Sequence, residues 1–324
     1  TINGETYSKN EAKIIVDVSD PGNGQLTANI QSYSTIFINE YGASLNLGAA
    51  GGLAITKTVT GHALAKEQFE FKVKAVKTDT ATADEAAELF GFKEGETEVT
   101  FKNNEAAADG QTVTMLKTDT NFTLKNLGKV YKYEVSEMND KKPGYTYDDT
   151  VYTVELWVTD DGDGTLTLHT KVTDEKGSVI SEETSNETDQ KQTVLAFNNS
   201  YAGSGVLDGS ANLAGTKKMD GPWEATDKDL SGFRFTITGG DEATNAAITA
   251  GTVVLPQSVT ATSDADGNFN FGDITFNEKG TYKFTVSEVV PAEGDKIPGV
   301  AYNAETVTII VNVTDNDDGT LTAA

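Results

Sequence analysis

The sequence predicts an all-β chain of tandem β-sandwich domains, with a short helix in one connection. Three observations predict it. First, an alternating strand, an Asp/Gly turn and a second alternating strand occur three times: "YSKNEAKIIVDVSDPGNGQLTAN" (7–29), "YTVELWVTDDGDGTLTLH" (152–169) and "YNAETVTIIVNVTDNDDGTLTAA" (302–324). That pattern is a hairpin signature. Second, segments return 160 positions later: "LAITKTVTG" (53–61) as "LAGTKKMDG" (213–221), and "FINEY" (37–41) as "FNNSY" (197–201). Third, short strands punctuated by turns fill most of the rest, which is the sandwich pattern.

The elements follow one order within a repeat: a Lys strand, a variable middle, a Glu strand, the hairpin, and an Asn strand. "YKYEVSE" (131–137) and "YKFTVSE" (282–288) are the two Glu strands. In the middle, "FEFKVKAV" (69–76) and "FRFTITG" (233–239) alternate as strands. "TATADEAAELFGF" (80–92) reads as a short helix, and the shorter "GDEATNAAITAGTVVLP" offers no counterpart to it. Residues 1–44 are then the end of one repeat, 49–202 a complete repeat, and 209–324 a repeat lacking its last strand. The joints "YGASLNLGAAGG" and "YAGSGVLDGSANLAG" carry the Gly, Ala and Ser of linkers. Asn39 to Lys57 and Asn199 to Lys217 are both 18 residues apart, so the joints keep their length.

Composition narrows the function. The chain is 37% hydrophobic, enough for ordinary cores, and its 324 residues suit roughly two domains. A net charge of −25 argues against nucleic acid and anionic lipid, which it would repel. The charge serves solubility and mutual repulsion, or an acidic surface for a basic ligand. There is no cysteine, so the chain is cytosolic or is stabilised by something other than disulfides. No apolar run is long enough for a membrane span, and "TINGETYSKN" is not a signal peptide.

Strand parity picks out three polar residues. Residues two apart share a face. Leu53, Ile55, Lys57 and Val59 share one; Tyr131, Tyr133, Val135 and Glu137 another; Leu195, Phe197, Asn199 and Tyr201 a third. Each apolar face thus carries one polar residue. Lys217, Glu288 and Asn39 hold the same places in the incomplete repeats. An unpaired buried charge costs several kcal/mol, so the Lys and Glu need partners. One reading is a buried ion pair with Asn as hydrogen-bond partner. The other is covalent. Burial lowers a Lys pKa and raises a Glu pKa, so the pair can exchange its proton and become amine and acid. A neutral amine is a nucleophile, and a neutral acid can polarise the Asn carbonyl. Attack of Lys Nζ on Asn Cγ with loss of ammonia leaves an amide. The reaction runs once and needs no cofactor or metal.

Taken in order, "ITKTVTG", "FEFKV", "YKYEVSE", "GYTYDDTVYTVELWVTDDGDGTLTL" and "FNNSY" resemble the isopeptide-linkage domains of Gram-positive pilins and surface adhesins, best known from streptococcal major pilins. The resemblance covers the complete repeat and, piecewise, nearly the whole chain. It implies immunoglobulin-like sandwiches with a Lys–Asn isopeptide bond assisted by Glu. By that motif Lys57 and Asn199 are the bonded pair and Glu137 the catalytic acid. Asn198 is the neighbouring candidate, but parity and the Phe-x-Asn-x-Tyr frame favour Asn199. Some features depart from the pattern. The last repeat has Lys217 and Glu288 but no Asn strand, the first fragment has Asn39 but no Lys, and Gly215 stands where Ile55 fills the core. A "WxxxVxVYPK"-type polymerisation motif is absent.

Other signals are weaker. The turns "DPGNG", "DDGDG" and "DNDDG" lack the Glu that completes a calcium loop and read as hairpin turns. His62 and His169 are far apart with no Cys, which argues against zinc. Trp157 has outward parity, and "NFT", "NET" and "NVT" are glycosylation sequons by pattern only. No turnover constellation appears, so the chain is not expected to be an enzyme. The expected function is a structural stalk on a Gram-positive, wall-anchored surface, its partners being adjacent repeats. The alternative is an adhesin gripping a host protein or glycan through the variable stretches 76–112 and 239–262. A further possibility is docking of "TIFINEY" into another copy, joining Lys217 to Asn39 between chains.

Overall fold

The computed structural model describes residues 3–31, 36–117, 120–220 and 229–324. The chain forms two compact units, one from 1–58, 64–138 and 148–198, the other from 59–63, 139–147 and 199–324. The fold is all-β, and no helix among the described residues is long and apolar enough to cross a membrane.

All three expected hairpins form. Ile15–Ser19 pairs with Thr27–Gln31, Val151–Asp160 with Leu166–Thr173, and Thr306–Asp315 with Leu321–Ala323, each antiparallel. Asp caps its own turn and Gly supplies positive φ, as at Gly164 (φ 92) and Gly319 (φ 82).

In the first unit the hairpin continues into a six-stranded sheet ordered Val179–Ser185, Leu166–Thr173, Val151–Asp160, Tyr131–Met138, Glu70–Val76, Glu98–Lys102. A four-stranded sheet has the order Tyr145–Thr146, Thr193–Tyr201, Leu53–Thr60, Thr112–Lys117. The two sheets face each other. Phe71 of the larger sheet meets Phe197 of the smaller at 5.3 Å between rings, and Tyr152 meets Phe197 edge-on, also at 5.3 Å. Alternation puts Tyr131, Tyr133, Val135, Leu195 and Phe197 in the core with almost no exposure. One polar side chain in that core is fully satisfied. Asn103 accepts from Phe69 N–H at 2.9 Å and donates to the carbonyls of Ala65 and Glu105 at 2.7 and 2.9 Å.

The second unit has a five-stranded sheet ordered Thr260–Thr262, Arg234–Gly239, Gly280–Glu288, Thr306–Asp315, Leu321–Ala323. Opposite are a three-stranded sheet (Gly205–Leu207, Ile274–Phe276, Val253–Val254) and the pair Ala214–Thr216 with Asn268–Asn270. Ile237, Ile274, Phe276 and Phe284 are wholly buried at its centre.

Three expectations are corrected or refined here. The expected helix is Ala83–Leu89, opened by a Thr82/Glu85 capping box. It does have a counterpart in the later repeat, contrary to expectation: Glu242–Ala250, capped by Asp241 and closed by Gly251 at φ 78. Its cap residues were readable, but the Ala/Thr-rich body has no apolar stripe to announce it. At Gly215 a Cβ would lie 2.4 Å from the Phe269 ring, which stacks on Phe235 at 3.7 Å. The aromatic ring therefore takes the room that Ile55 uses in the complete repeat, while the strand shortens to three residues. In "FINEY" only Glu40–Tyr41 is strand. Ile36, Phe37 and Ile38 are exposed. Thr35 of "TIFINEY" lies outside the described residues.

Candidate functional site

Strand register assembles the site. Glu137 stands opposite Phe71 on the neighbouring strand, and in the later repeat Glu288 stands opposite Phe235. Both Glu side chains point inward at the end of a buried apolar row, toward the Lys strand of the facing sheet. Lys57 Nζ reaches Glu137 Oε1 and Oε2, each at 2.8 Å, and neither side chain has any exposure. Lys217 Nζ reaches Glu288 Oε1 at 2.8 Å and Oε2 at 3.0 Å. That pair is slightly more open, at 9% and 4%.

An aromatic floor lies under each ammonium. Lys57 Nζ is 4.7 Å from the centre of the Phe69 ring and 5.9 Å from that of Phe71. Lys217 Nζ is 4.7 Å from the centre of the Phe233 ring. The ring faces attract the cation and keep water away. Each floor residue is fixed through its backbone: Phe69 N–H by Asn103, and Phe233 N–H by Ser263 Oγ at 3.1 Å. Sequence reasoning missed Phe69, Phe233, Asn103 and Ser263. The repeated "FEF" and "FRF" were the available signal, read only as strand.

Burial pushes the Lys57 pKa down to about 8, against the charge and hydrogen bond of Glu137 and the charge of Asp148. Asp148 is a fifth missed residue. One of its oxygens accepts from Thr150 N–H at 3.0 Å and the other from Asn198 N–H at 2.8 Å. It thereby ties the chain before the hairpin to the Asn strand. In the later repeat the aligned Asn303 donates its backbone N–H to Glu288 Oε2 at 3.0 Å.

Asn199 is 1% exposed on Thr193–Tyr201, the strand next to Leu53–Thr60 in the four-stranded sheet, whereas Asn198 faces solvent. Asn39 is exposed, and its carbonyl accepts from Ser8 N–H at 3.1 Å. The two histidines have different partners: His169 stacks on Trp157 at 5.0 Å, and His62 Nε2 meets Asp317 at 3.0 Å. His62 groups with Asp315 and Asp317, a pairing that sequence distance concealed.

The chemistry available is that of a dry Lys–Glu pair. An amine with pKa about 8 is neutral in roughly a tenth of molecules at pH 7, against about one in three thousand at 10.5. Burial thus raises the nucleophilic fraction several hundredfold. Glu137 sits where it can take the proton and return it.

No functionally curated protein matches the chain. Among solved structures it is similar to the major pilin protein T-13 of Streptococcus pyogenes, with 17% identity over 85% of this chain and 96% of that one, TM-score 0.32. A second major pilin of Streptococcus pyogenes gives 18% identity over 85% and 96%, TM-score 0.32. The major pilin SpaD of Corynebacterium diphtheriae gives 14% over 82% and 66%, TM-score 0.23. The family model FctA, described as a Spy0128-like isopeptide containing domain, matches residues 53–202 and 213–324. With those two matches spanning most of its length, the chain belongs to the FctA family of Spy0128-like isopeptide containing domains.

Proposed function

We propose that this chain is a segment of a structural stalk on a Gram-positive cell surface. Its repeats are 49–202 and 209–324, with 1–44 the end of another. Each complete repeat locks itself with a Lys–Asn amide. The observation that carries this reading is the Lys57–Glu137 pair, 2.8 Å apart with both side chains wholly buried. It recurs at Lys217–Glu288. A buried ion pair is poor value for stability alone, being at best about neutral against apolar replacements. Its recurrence on an aromatic floor supports a chemical use.

Lys57 passes its proton to Glu137, leaving an amine and a neutral acid. The acid donates a hydrogen bond to Asn199 Oδ1 and polarises the carbonyl. Nζ attacks Cγ, so a C–N bond forms and the carbonyl becomes tetrahedral. Glu137 takes a proton from Nζ and delivers one to Nδ2. The Cγ–Nδ2 bond breaks, and ammonia leaves. Holding amine and amide together supplies much of the rate, as in other intramolecular reactions. Nothing turns over, so the protein is not an enzyme in the usual sense.

The bond joins the first strand of the repeat to its last. Tension entering one end and leaving at the other then crosses an amide, and the hydrogen bonds between are shielded from load. Adjacent repeats are the natural partners in such a series. A chain with no cysteine gains covalent closure without an oxidant.

Intact mass tests the proposal. The parent chain is expected to be one ammonia lighter than its sequence. Lys57→Ala, Glu137→Ala and Asn199→Ala are each expected to show the full sequence mass. A parent at full sequence mass removes the covalent reading.

A further inference from the structure

The Asp/Gly hairpin turns and the tyrosine that ends each Phe-x-Asn-x-Tyr stretch take no part in the Lys–Glu chemistry. The structure nevertheless brings them together twice, once wholly inside each unit. In the first unit the Tyr41 hydroxyl donates to Asp160 Oδ1 at 2.7 Å and accepts from Gly164 N–H at 3.2 Å. In the second, the Tyr201 hydroxyl donates to Asp315 Oδ1 at 2.7 Å and accepts from Gly319 N–H at 3.2 Å.

The surrounding backbone repeats as well. Gly42 N–H donates to Gly4 O at 2.8 Å, and Ala202 N–H to Gly144 O at 2.9 Å. Ser44 bridges Thr165 and Ser204 bridges Thr320, both in parallel sense. Glycine is required on both sides of the contact. A Cβ on Gly4 would come 2.6 Å from Gly164 Cα, and one on Gly144 would come 2.8 Å from Gly319 Cα. Both Gly4 and Gly144 also have φ of 80.

The turn does not need the tyrosine in order to fold. The third copy, Asp20–Gly24, makes the same internal bonds: Gly22 N–H to Asp20 at 2.8 Å and Gln25 N–H to Asn23 at 3.0 Å. The matching pairs are Gly162 to Asp160 at 3.0 Å and Thr165 to Asp163 at 3.1 Å, then Asp317 to Asp315 and Thr320 to Asp318, both at 2.9 Å. Among the described residues no tyrosine bonds Asp20. The turn is therefore preformed, and its first Asp and fifth-position Gly amide together make a socket for one hydroxyl.

We propose that the Asp-x-x-x-Gly turn is a docking surface for the tyrosine at the end of the preceding Asn strand. The Tyr41 and Tyr201 contacts are then the joints that set how consecutive repeats follow one another. This holds whether or not the Lys–Asn amide forms. Each hydroxyl both donates to a carboxylate and accepts from an amide, so phenylalanine keeps the ring and loses the whole recognition.

The absence of native cysteine allows paired spin labels in the full chain. Labels at Thr27 and Lys176 report on the Tyr41 joint, and labels at Lys141 and Ile310 on the Tyr201 joint. Both parents are expected to give one narrow distance peak. Tyr41→Phe, which loses both hydrogen bonds, should raise the share of molecules outside the first peak about fivefold or more, and Asp160→Asn, which weakens only the bond to the carboxylate, should raise it less. Tyr201→Phe and Asp315→Asn should do the same to the second. The double variants should be no broader than the Tyr→Phe singles, since those already lack the hydroxyl that the Asp receives. Asp20→Asn, at the turn that no tyrosine among the described residues bonds, should leave both peaks unchanged. Unchanged peaks in the Tyr→Phe variants, with melting temperatures showing a folded chain, would overturn the proposal. So would equal broadening by Asp20→Asn, which would reduce Asp to a turn-former.

Discussion

Asn199→Ala is the sharpest perturbation of the proposed ring. It abolishes the amide while leaving the Lys57–Glu137 pair in place, with its 2.8 Å contacts. The proposed amide would close a loop between positions 57 and 199. By loop entropy a closure of that length removes about 5 kcal/mol from the unfolded chain's advantage. A repeat of this size shifts by about 2–4 °C per kcal/mol, so the transition should fall by roughly 10–20 °C. Differential scanning calorimetry of the full chain reads it directly, each variant being weighed first by intact mass. Glu137→Ala should also lack the amide but melt lower than Asn199→Ala. It leaves the ammonium of Lys57 buried and unpaired, at a further cost of about 3 kcal/mol. The reasoning fails if Asn199→Ala melts within a few degrees of a parent that has lost ammonia, because the ring would then carry no stability. It fails also if Glu137→Ala is the more stable of the two variants.

Further outcomes follow from the same geometry. In Asn199→Ala the Lys57 amine stays free with a pKa of about 8, below its unfolded value near 10.5. Below pH 8 both states hold the proton and the burial penalty is full; between 8 and 10.5 only the unfolded state does. Stability of this variant should therefore climb by about 1.4 kcal/mol per pH unit across that window, measured by denaturant titration; a flat profile would contradict the assigned burial. The His62 pKa is raised: burial lowers it, but the Asp317 hydrogen bond, the Ala63 carbonyl and the Asp315 charge outweigh that. Its stabilisation is present below pH 6.5 and lost as pH rises through the folded pKa, so melting temperature should fall over that range. Asp317→Gly should flatten the fall and relieve a backbone φ of 59, and a persisting slope would assign the titration elsewhere. Gly215→Ile should destabilise the later repeat by about 1–3 kcal/mol through collision with Phe269. Adding Phe269→Ala should recover much of that in a thermal melt, and additive losses would refute the shared volume.

What the sequence disclosed is what a period of two can disclose. Lys57 stands in the row Leu53, Ile55, Val59, and Glu137 in the row Tyr131, Tyr133, Val135; two rows interrupted by opposite charges need one another, and the structure joins them. Phe69 and Asn103 escaped because their relation to Lys57 is written in no local pattern. Asn103 reaches Phe69 across 34 positions, and only the folded strands show that the ring lies beneath the ammonium. The tyrosine of "FNNSY" was visible as a core residue by parity. Its hydroxyl partner, Asp315, is 114 positions away and was read as an ordinary turn residue. Helix Glu242–Ala250 was missed for the opposite reason. Its caps were local and legible, but its body has no apolar stripe to mark a buried face.

The two proposed devices act on different parts of a chain under load, and the difference has a consequence. Inside a complete repeat an amide between first and last strands leaves almost no length to release, since unfolding cannot separate positions 57 and 199. At a joint the chain is held by two hydrogen bonds to one hydroxyl, a backbone bond such as Ala202 N–H to Gly144 O, and a short parallel bridge. Such contacts are worth about 1 kcal/mol each and reform quickly. Extension under modest force should therefore be taken up at the joints first, reversibly, while each sandwich stays whole. A stalk built this way bends between rigid links. The glycines at 4, 144, 164 and 319 then let backbone meet backbone closely, leaving the tyrosine ring as the side chain that must unpack.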